Sequence, residues 1–133
     1  MNEPSIFTRI INGQVPCHKV YEDEHTLAFL DINPVAEAHT LVVPKNQVEF
    51  VWDLEPADYQ ALMDSVQKVA QRLRAVIGKP YVGELVVGTD VPHAHVHLVP
   101  FAEPAEMKRT LDGSGAPADQ EALAALAERL RFE

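Results

Sequence analysis

Cysteine is nearly missing from this chain: Cys17 stands alone, so no internal disulfide can form and a disulfide-stapled scaffold is excluded. A single thiol fits a reducing compartment, and Cys17 reads as a semi-buried structural thiol rather than a nucleophile. Positive charge is scarce as well. Eleven Lys and Arg face twenty Asp and Glu, a formal net charge of −9. Binders of DNA or RNA carry a basic footprint, so this balance argues against a nucleic-acid polymer as partner. It leaves a single nucleotide open, because a few N–H donors, histidines and a lysine are enough to hold one. No stretch approaches 18 continuous apolar residues, so no membrane span is expected. Met1-Asn2-Glu3-Pro4 lacks the basic-then-apolar layout of a secretory signal, and the expected setting is cytoplasmic. Repeats and low-complexity segments are absent too.

What is present suits one domain over residues 1–133, with 47% hydrophobic residues, enough for a proper core. Ser5 can cap a short helix whose Ile6, Phe7, Ile10 and Ile11 share a stripe, with Gly13 at its C-terminal end. His18 to Tyr21 and Thr26 to Ile32 read as strands around the acidic turn Glu22-Asp23-Glu24-His25, with His18 and His25 as exposed rim residues. Thr40 to Val43 is a third strand, ended by Pro44-Lys45, with Lys45 on the surface. Glu55-Pro56 opens the longest helix. Its Tyr59, Leu62, Met63, Val66, Val69, Ala70, Leu73, Val76 and Ile77 form one buried stripe, which Gly78 and Pro80 stop. Trp52 is expected to pack at the turn before it. Tyr81 to Val87 and His93 to Val99 are the fourth and fifth strands. A flexible Asp112-Gly113-Ser114-Gly115 precedes a final helix opened by Pro117, striped by Leu123, Leu126, Ala127 and Leu130. The expected fold is α+β: an antiparallel sheet of about five strands with a long helix across one face.

The fifth strand carries the chemistry. His93-Ala94-His95-Val96-His97-Leu98-Val99-Pro100 holds three of the six histidines at two-residue spacing. A strand alternates its faces, so all three imidazoles lie on one side and Ala94, Val96 and Leu98 on the other. Pro100, with no N–H for a ladder, is expected to end the run. A solvated polar face is the plain reading of such a row. A metal site is a second, but a rise of about 3.3 Å per residue sets the outer rings roughly 13 Å apart at their backbones. One ion could then take two of them, with a third ligand from elsewhere. The third reading divides labour: rings titrating near neutrality can attack as nucleophiles, bind anions and shuttle protons. Attack on phosphorus would give a phosphoramidate that water then cleaves.

With Ile6-Phe7 to Ile10-Ile11-Asn12-Gly13, Val15-Pro16, Val20-Tyr21-Glu22-Asp23, Ala28-Phe29-Leu30-Asp31-Ile32-Asn33-Pro34 and Ala38-His39-Thr40-Leu41-Val42-Val43-Pro44-Lys45 in order upstream, the chain resembles the histidine triad (HIT) superfamily. The likeness covers roughly residues 5 to 101 and is closest to the branch of small purine-nucleoside phosphoramidases. That resemblance implies a nucleotide-binding hydrolase acting at the α-phosphate through a nucleotidyl-histidine. His95 would be the nucleophile, His93 and His97 would position phosphate and manage protons, and His39 would orient the triad from behind. Asp31 would grip the ribose, with Ile32 as an apolar wall for the base. No metal or organic cofactor is implied, and the partners expected are a purine nucleotide or conjugate and a second copy of the chain. Some relatives bind structural zinc through a cysteine pair near the N-terminus; here Thr8 follows Ile6-Phe7 and no such site is expected. The link Gly88-Thr89-Asp90-Val91-Pro92 is shorter than usual, with Thr89 where the family has a phosphate-holding Gln and Asp90 beside it. A threonine hydroxyl could still donate to phosphate. A nucleotide-binding protein with little catalysis, a dinucleoside polyphosphate hydrolase and a metal-dependent hydrolase are the other readings.

Overall fold

The fold is a five-stranded antiparallel sheet in the order β1-β2-β3-β5-β4, seen in a computed structural model that describes residues 3–112 and 115–132. Its strands are β1 (Lys19–Glu22), β2 (Thr26–Leu30), β3 (Thr40–Pro44), β4 (Tyr81–Leu85) and β5 (Val96–Phe101). Among the described residues four α-helices and a short 3-10 turn at Val51–Asp53 accompany them: α1 (Ile6–Ile11), α2 (Pro56–Ile77), α3 (Pro104–Asp112) and α4 (Gln120–Leu130). The α+β architecture is as expected.

Side-chain alternation gives the sheet two differently used faces. Val20, Ala28, Leu30, Val42, Val96 and Leu98 point to one side and pack with Leu62, Val66, Val69 and Leu73 of α2. Those four recur at three- and four-residue spacing, which makes the buried stripe. Pro56 sits in the first turn of α2, and Gly78 takes φ +80 to end it, its N–H returning to the Arg74 carbonyl at 3.0 Å. Against the same core lies α4, through Leu123, Ala127 and Leu130. The Arg72 guanidinium of α2 donates to the Leu130 and Arg129 carbonyls at 3.0 and 3.1 Å, satisfying the end of α4.

The other face carries Leu27, Phe29, Leu41 and Val43, covered by Phe7, Ile10 and Ile11 of α1. Ser5 caps α1, accepting the Thr8 N–H at 3.0 Å. This short helix covers only part of the sheet, and the remainder opens as a cleft.

Three expectations are corrected. β5 begins at Val96 rather than His93, because its ladder to β3 spans only Thr40↔Leu98, Leu41↔His97 and Val42↔Val96. Pro100 does not end the strand; it pairs with Val82 of β4, beyond the last β3 partner, where a missing N–H costs no ladder bond. The final helix is opened by Asp119, which accepts the Ala122 N–H at 2.9 Å, rather than by Pro117. α3 was not foreseen: it buries no residue, and Met107 and Leu111 are its only large apolar side chains. Of the stretch expected to be flexible, Gly113 and Ser114 lie outside the described residues.

Candidate active site

The uncovered part of the second face forms a cleft of about 630 Å³ between β3, β5, β4 and α3, within the range of small-molecule sites. Phe7, Leu41, Leu85, Val87 and Val99 supply apolar walls; Asp31, Asn33, His39, Asp90, His95 and His97 supply the polar groups; Thr110, Leu111 and Gly115 close one end.

His93, His95 and His97 share a side of the chain, yet only the last two reach the cleft. α1 lies over the first. The His93 ring is 0% exposed, with Nδ1 2.7 Å from Ser5 Oγ and 3.3 Å from Thr8 Oγ1, and Nε2 2.8 Å from the Pro44 carbonyl. A carbonyl only accepts, so Nε2 carries the proton and Nδ1 accepts the Ser5 hydroxyl. Thr8 Oγ1 donates in turn to Gln47 Oε1 at 2.6 Å, and Gln47 Oε1 also accepts the Ser5 N–H at 2.8 Å. Burial pushes the His93 pKa down, the Pro44 carbonyl opposing. His93 is therefore a neutral, fully bonded ring beneath the site, out of reach of a phosphate in the cleft.

Its carbonyl does the visible work. The His93 oxygen accepts Nδ1–H of His95 at 2.7 Å. In neutral His95 the lone pair must then lie on Nε2, the nucleophilic tautomer. Phe7 meets this ring edge-on, at 5.1 Å between centroids and 76°, which fixes its plane.

His97 is set by a second relay. The Val35 N–H donates to His39 Nδ1 at 3.2 Å, so the His39 proton sits on Nε2 and is given to His97 Nδ1 at 3.0 Å. That leaves His97 with Nε2–H, a donor toward the cleft even in the neutral ring. Burial, with His95 and His39 close by, pushes the His97 pKa down to about 4, against the pull of Asp31 and Asp90. Burial also lowers His39, while Asp31 opposes. His95 and His97 thus differ by tautomer: one offers a lone pair, the other a proton.

Asp31 stands where β2 ends. Its Oδ1 accepts the Asn33 N–H at 2.8 Å, as a turn-capping aspartate does, and its Oδ2 lies 3.6 Å from His39 Nε2. The turn it opens returns through Ala38, whose φ of +67 is strained for a residue with a Cβ. The strain brings His39 back against Asp31, whose N–H donates to the His39 carbonyl at 2.9 Å. Ile32 and Thr89 are exposed and stand outside the cleft lining; Asp90, the neighbour of Thr89, is inside it. Sequence reading missed the Ser5–Thr8–Gln47 seat of His93 and the contribution of α3. Ser5 and Thr8 had a signal, their i,i+3 spacing at a helix start; Gln47 had none.

Asp31, His39 and His97 also bring ligand atoms within 4.8 Å of one another. The protons argue against a metal there. A neutral histidine bound through Nε2 must carry its proton on Nδ1, and in His39 that atom already faces the Val35 N–H. The three residues fit a proton relay better than an ion.

A sheet of this order with paired imidazoles over its uncovered face defines a small α+β fold of the histidine triad kind. The HIT domain matches residues 12–103, and the chain belongs to the HIT family. It is 40% identical to an uncharacterized HIT-like protein of Methanocaldococcus jannaschii over 102 residues, 74% of this chain and 79% of that one. To the adenylylsulfatase of Arabidopsis thaliana it is 30% identical over 103 residues, 74% of this chain and 52% of that one. Among solved structures, a Hit-like protein of Bartonella henselae superposes with a TM-score of 0.84 at 26% identity, covering 98% of this chain and 96% of that chain. A Zn-bound histidine triad protein of Mycobacterium smegmatis gives 0.76 at 26% identity, with 94% of each covered.

Proposed function

We propose that the protein hydrolyses nucleoside phosphoramidates or related nucleotide conjugates at the α-phosphate, through a covalent nucleotidyl-His95. The observation that carries this reading is the opposed tautomer pair: a lone pair on His95 Nε2 beside a proton on His97 Nε2. His95 Nε2 bonds to phosphorus as the phosphorus–nitrogen bond to the amine breaks. The electron pair leaves with the amine, which takes up a proton from solvent, balanced by the proton that the attacking water gives back in the second step. The ring is then a cation, and the His93 carbonyl at Nδ1–H favours that charge. Water adds to phosphorus, loses a proton and expels Nε2, releasing the nucleoside monophosphate and restoring the ring. His97 donates to a phosphoryl oxygen or to the leaving atom, with His39 orienting it. Asp31 keeps one carboxylate oxygen free for ribose hydroxyls. The kinship with an adenylylsulfatase supports an adenylyl compound as the nucleotide part of the substrate.

The test is a panel of nucleotide conjugates incubated with the wild-type protein and with His95→Ala, read by mass spectrometry. A protein–nucleotide adduct and turnover in the wild type, both lost in His95→Ala with nucleotide binding retained, is the expected result. Undiminished turnover in His95→Ala moves the chemistry elsewhere. Thr89 outside the cleft and Asp90 within it favour one second reading, a nucleotide-binding protein with little catalysis; tight adenosine monophosphate binding without turnover of any conjugate would select it.

We also propose a two-fold dimer. β4 is an edge strand with Tyr81 53% exposed, and an unpaired edge of this kind is a ready site for pairing. Gel filtration showing a monomer at micromolar concentration removes that claim.

A further inference from the structure

Every charged side chain lining the cleft is acidic. Asp31 and Asp90 both line it, and no Lys or Arg among the described residues does. The lysine closest in sequence to the triad's partner strand, Lys45, is turned away to pair with Glu22 at 2.8 Å. His97 is held neutral. A pocket for a polyphosphate would be expected to hold cations against the ligand's several negative charges. This one meets the charge of a single phosphoryl group with neutral N–H donors and adds carboxylates of its own.

Asp90 is the informative member of the pair. Asp31 is already assigned: its Oδ1 caps the turn through the Asn33 N–H, and its Oδ2, 3.6 Å from His39 Nε2, is the oxygen left for ribose. Among the described residues Asp90 accepts one side-chain hydrogen bond, from the Thr89 hydroxyl at 3.4 Å. It is exposed, and it lies near enough to His97 to favour the cationic form of that ring. Its charge therefore stands in the cleft near His97, the ring that the proposed reaction sets at the phosphoryl group and the leaving atom.

We infer that Asp90 selects the leaving group by charge: the substrates are nucleoside phosphoramidates whose departing amine carries a second, cationic group. This rests on the phosphoramidase reading above and narrows it. A neutral leaving group gains nothing from the carboxylate, and an anionic one, including a further phosphate, is repelled. The same charge that disfavours polyphosphates thus sorts among monophosphate conjugates. An exposed pairing of this kind amounts to about two- to fivefold for each step of charge, and it weakens as salt screens it.

The test uses three adenosine 5′-phosphoramidates of similar length: one of a diaminobutane with a free ammonium, its N-acetylated neutral counterpart, and one of 4-aminobutyrate with a free carboxylate. Turnover is measured with the wild-type protein and with Asp90→Asn, at low salt and at 0.5 M salt, and binding of the same compounds is measured in a His95→Ala background with and without Asp90→Asn. The expected wild-type order in kcat/KM is cationic over neutral over anionic. Asp90→Asn should cut the cationic-to-anionic ratio at least twofold, and salt should shrink it in the wild type only. Turnover of all three at one rate, or an order that Asp90→Asn leaves unchanged, overturns charge selection while the hydrolase reading stands. Turnover of none sinks the hydrolase reading, and the binding ratios then decide: a graded order that Asp90→Asn flattens keeps the selection, and equal affinities overturn it.

Discussion

The His93 carbonyl oxygen and His95 Nδ1 are joined by a 2.7 Å hydrogen bond within one short stretch of chain. Through it, a ring that never meets the cleft governs one that does. The His93 seat is made by Ser5, Thr8 and Gln47, so the Ser5 cap of α1 is coupled to the central triad ring without itself lining the cleft.

Ser5→Ala tests that coupling. It removes the cap of α1 and the donor to a buried nitrogen. The loss should be about 2 kcal/mol of folding stability, from a cap worth ~1 kcal/mol and an unsatisfied buried acceptor worth 1–3 kcal/mol, part of which the Thr8 hydroxyl recovers. Urea denaturation at pH 7.5 measures it. In turnover assays kcat should fall while nucleotide affinity holds, since nothing lining the cleft is altered. A stability change within 0.5 kcal/mol, with kcat intact, would sever the Ser5 cap from the site.

His39 acts through His97, and the conservative variant separates orientation from packing. In His39→Ala, His97 Nδ1 loses its donor and nothing dictates which nitrogen carries the proton. An expected fall in kcat of tenfold or more follows, short of the 10²–10⁴ typical of losing an acid–base group outright. His39→Gln keeps an N–H donor at that position and should recover part of the loss. Equal defects in the two variants would mean that the ring only fills space.

Acid should unfold the protein through its buried rings. The His97 pKa lies at about 4 against 6.5 for the free side chain, and His39 and His93 are lowered too, all by burial. The unfolded chain then binds protons more readily than the folded one between those values. Stability is complete above about pH 6.5 and falls as the pH drops toward 4, where the folded ring finally titrates. For His97 alone the loss is on the order of 2–3 kcal/mol at 1.36 kcal/mol per unit. Urea titrations from pH 7.5 to 4.5 should show that decline, and His97→Gln should flatten part of it. A stability that rises on acidification would contradict neutral buried rings.

Much of this was legible because period two is a strong signal. Ala94, Val96 and Leu98 do enter the core and the histidines do share the opposite side. Which of those rings stays open was not legible, since it depends on how far α1 reaches across the sheet. Asp31 shows the same limit. A turn-capping role and a free oxygen in the cleft are compatible, and the sequence offers no way to see that both hold. Thr89 and Asp90 are adjacent, and only the fold decides that the carboxylate faces in. α3 was invisible because it buries nothing, yet its Thr110 and Leu111 line the cleft.

Chelation separates the proton relay from a metal centre. Asp31, His39 and His97 have spacing that an ion could use, but binding one through His39 Nε2 would force its proton onto Nδ1, against the Val35 N–H at 3.2 Å. Two donors would then face each other in a buried turn, at a cost of about 1–3 kcal/mol for the unmet pair. Dialysis against a strong chelator should therefore leave turnover of a nucleotide conjugate unchanged within error. Added zinc should not raise it, because the ion has to break the 3.0 Å bond that fixes the His97 tautomer. Activity abolished by the chelator and restored by zinc would replace the relay with an ion and turn His39 from an orienting ring into a ligand.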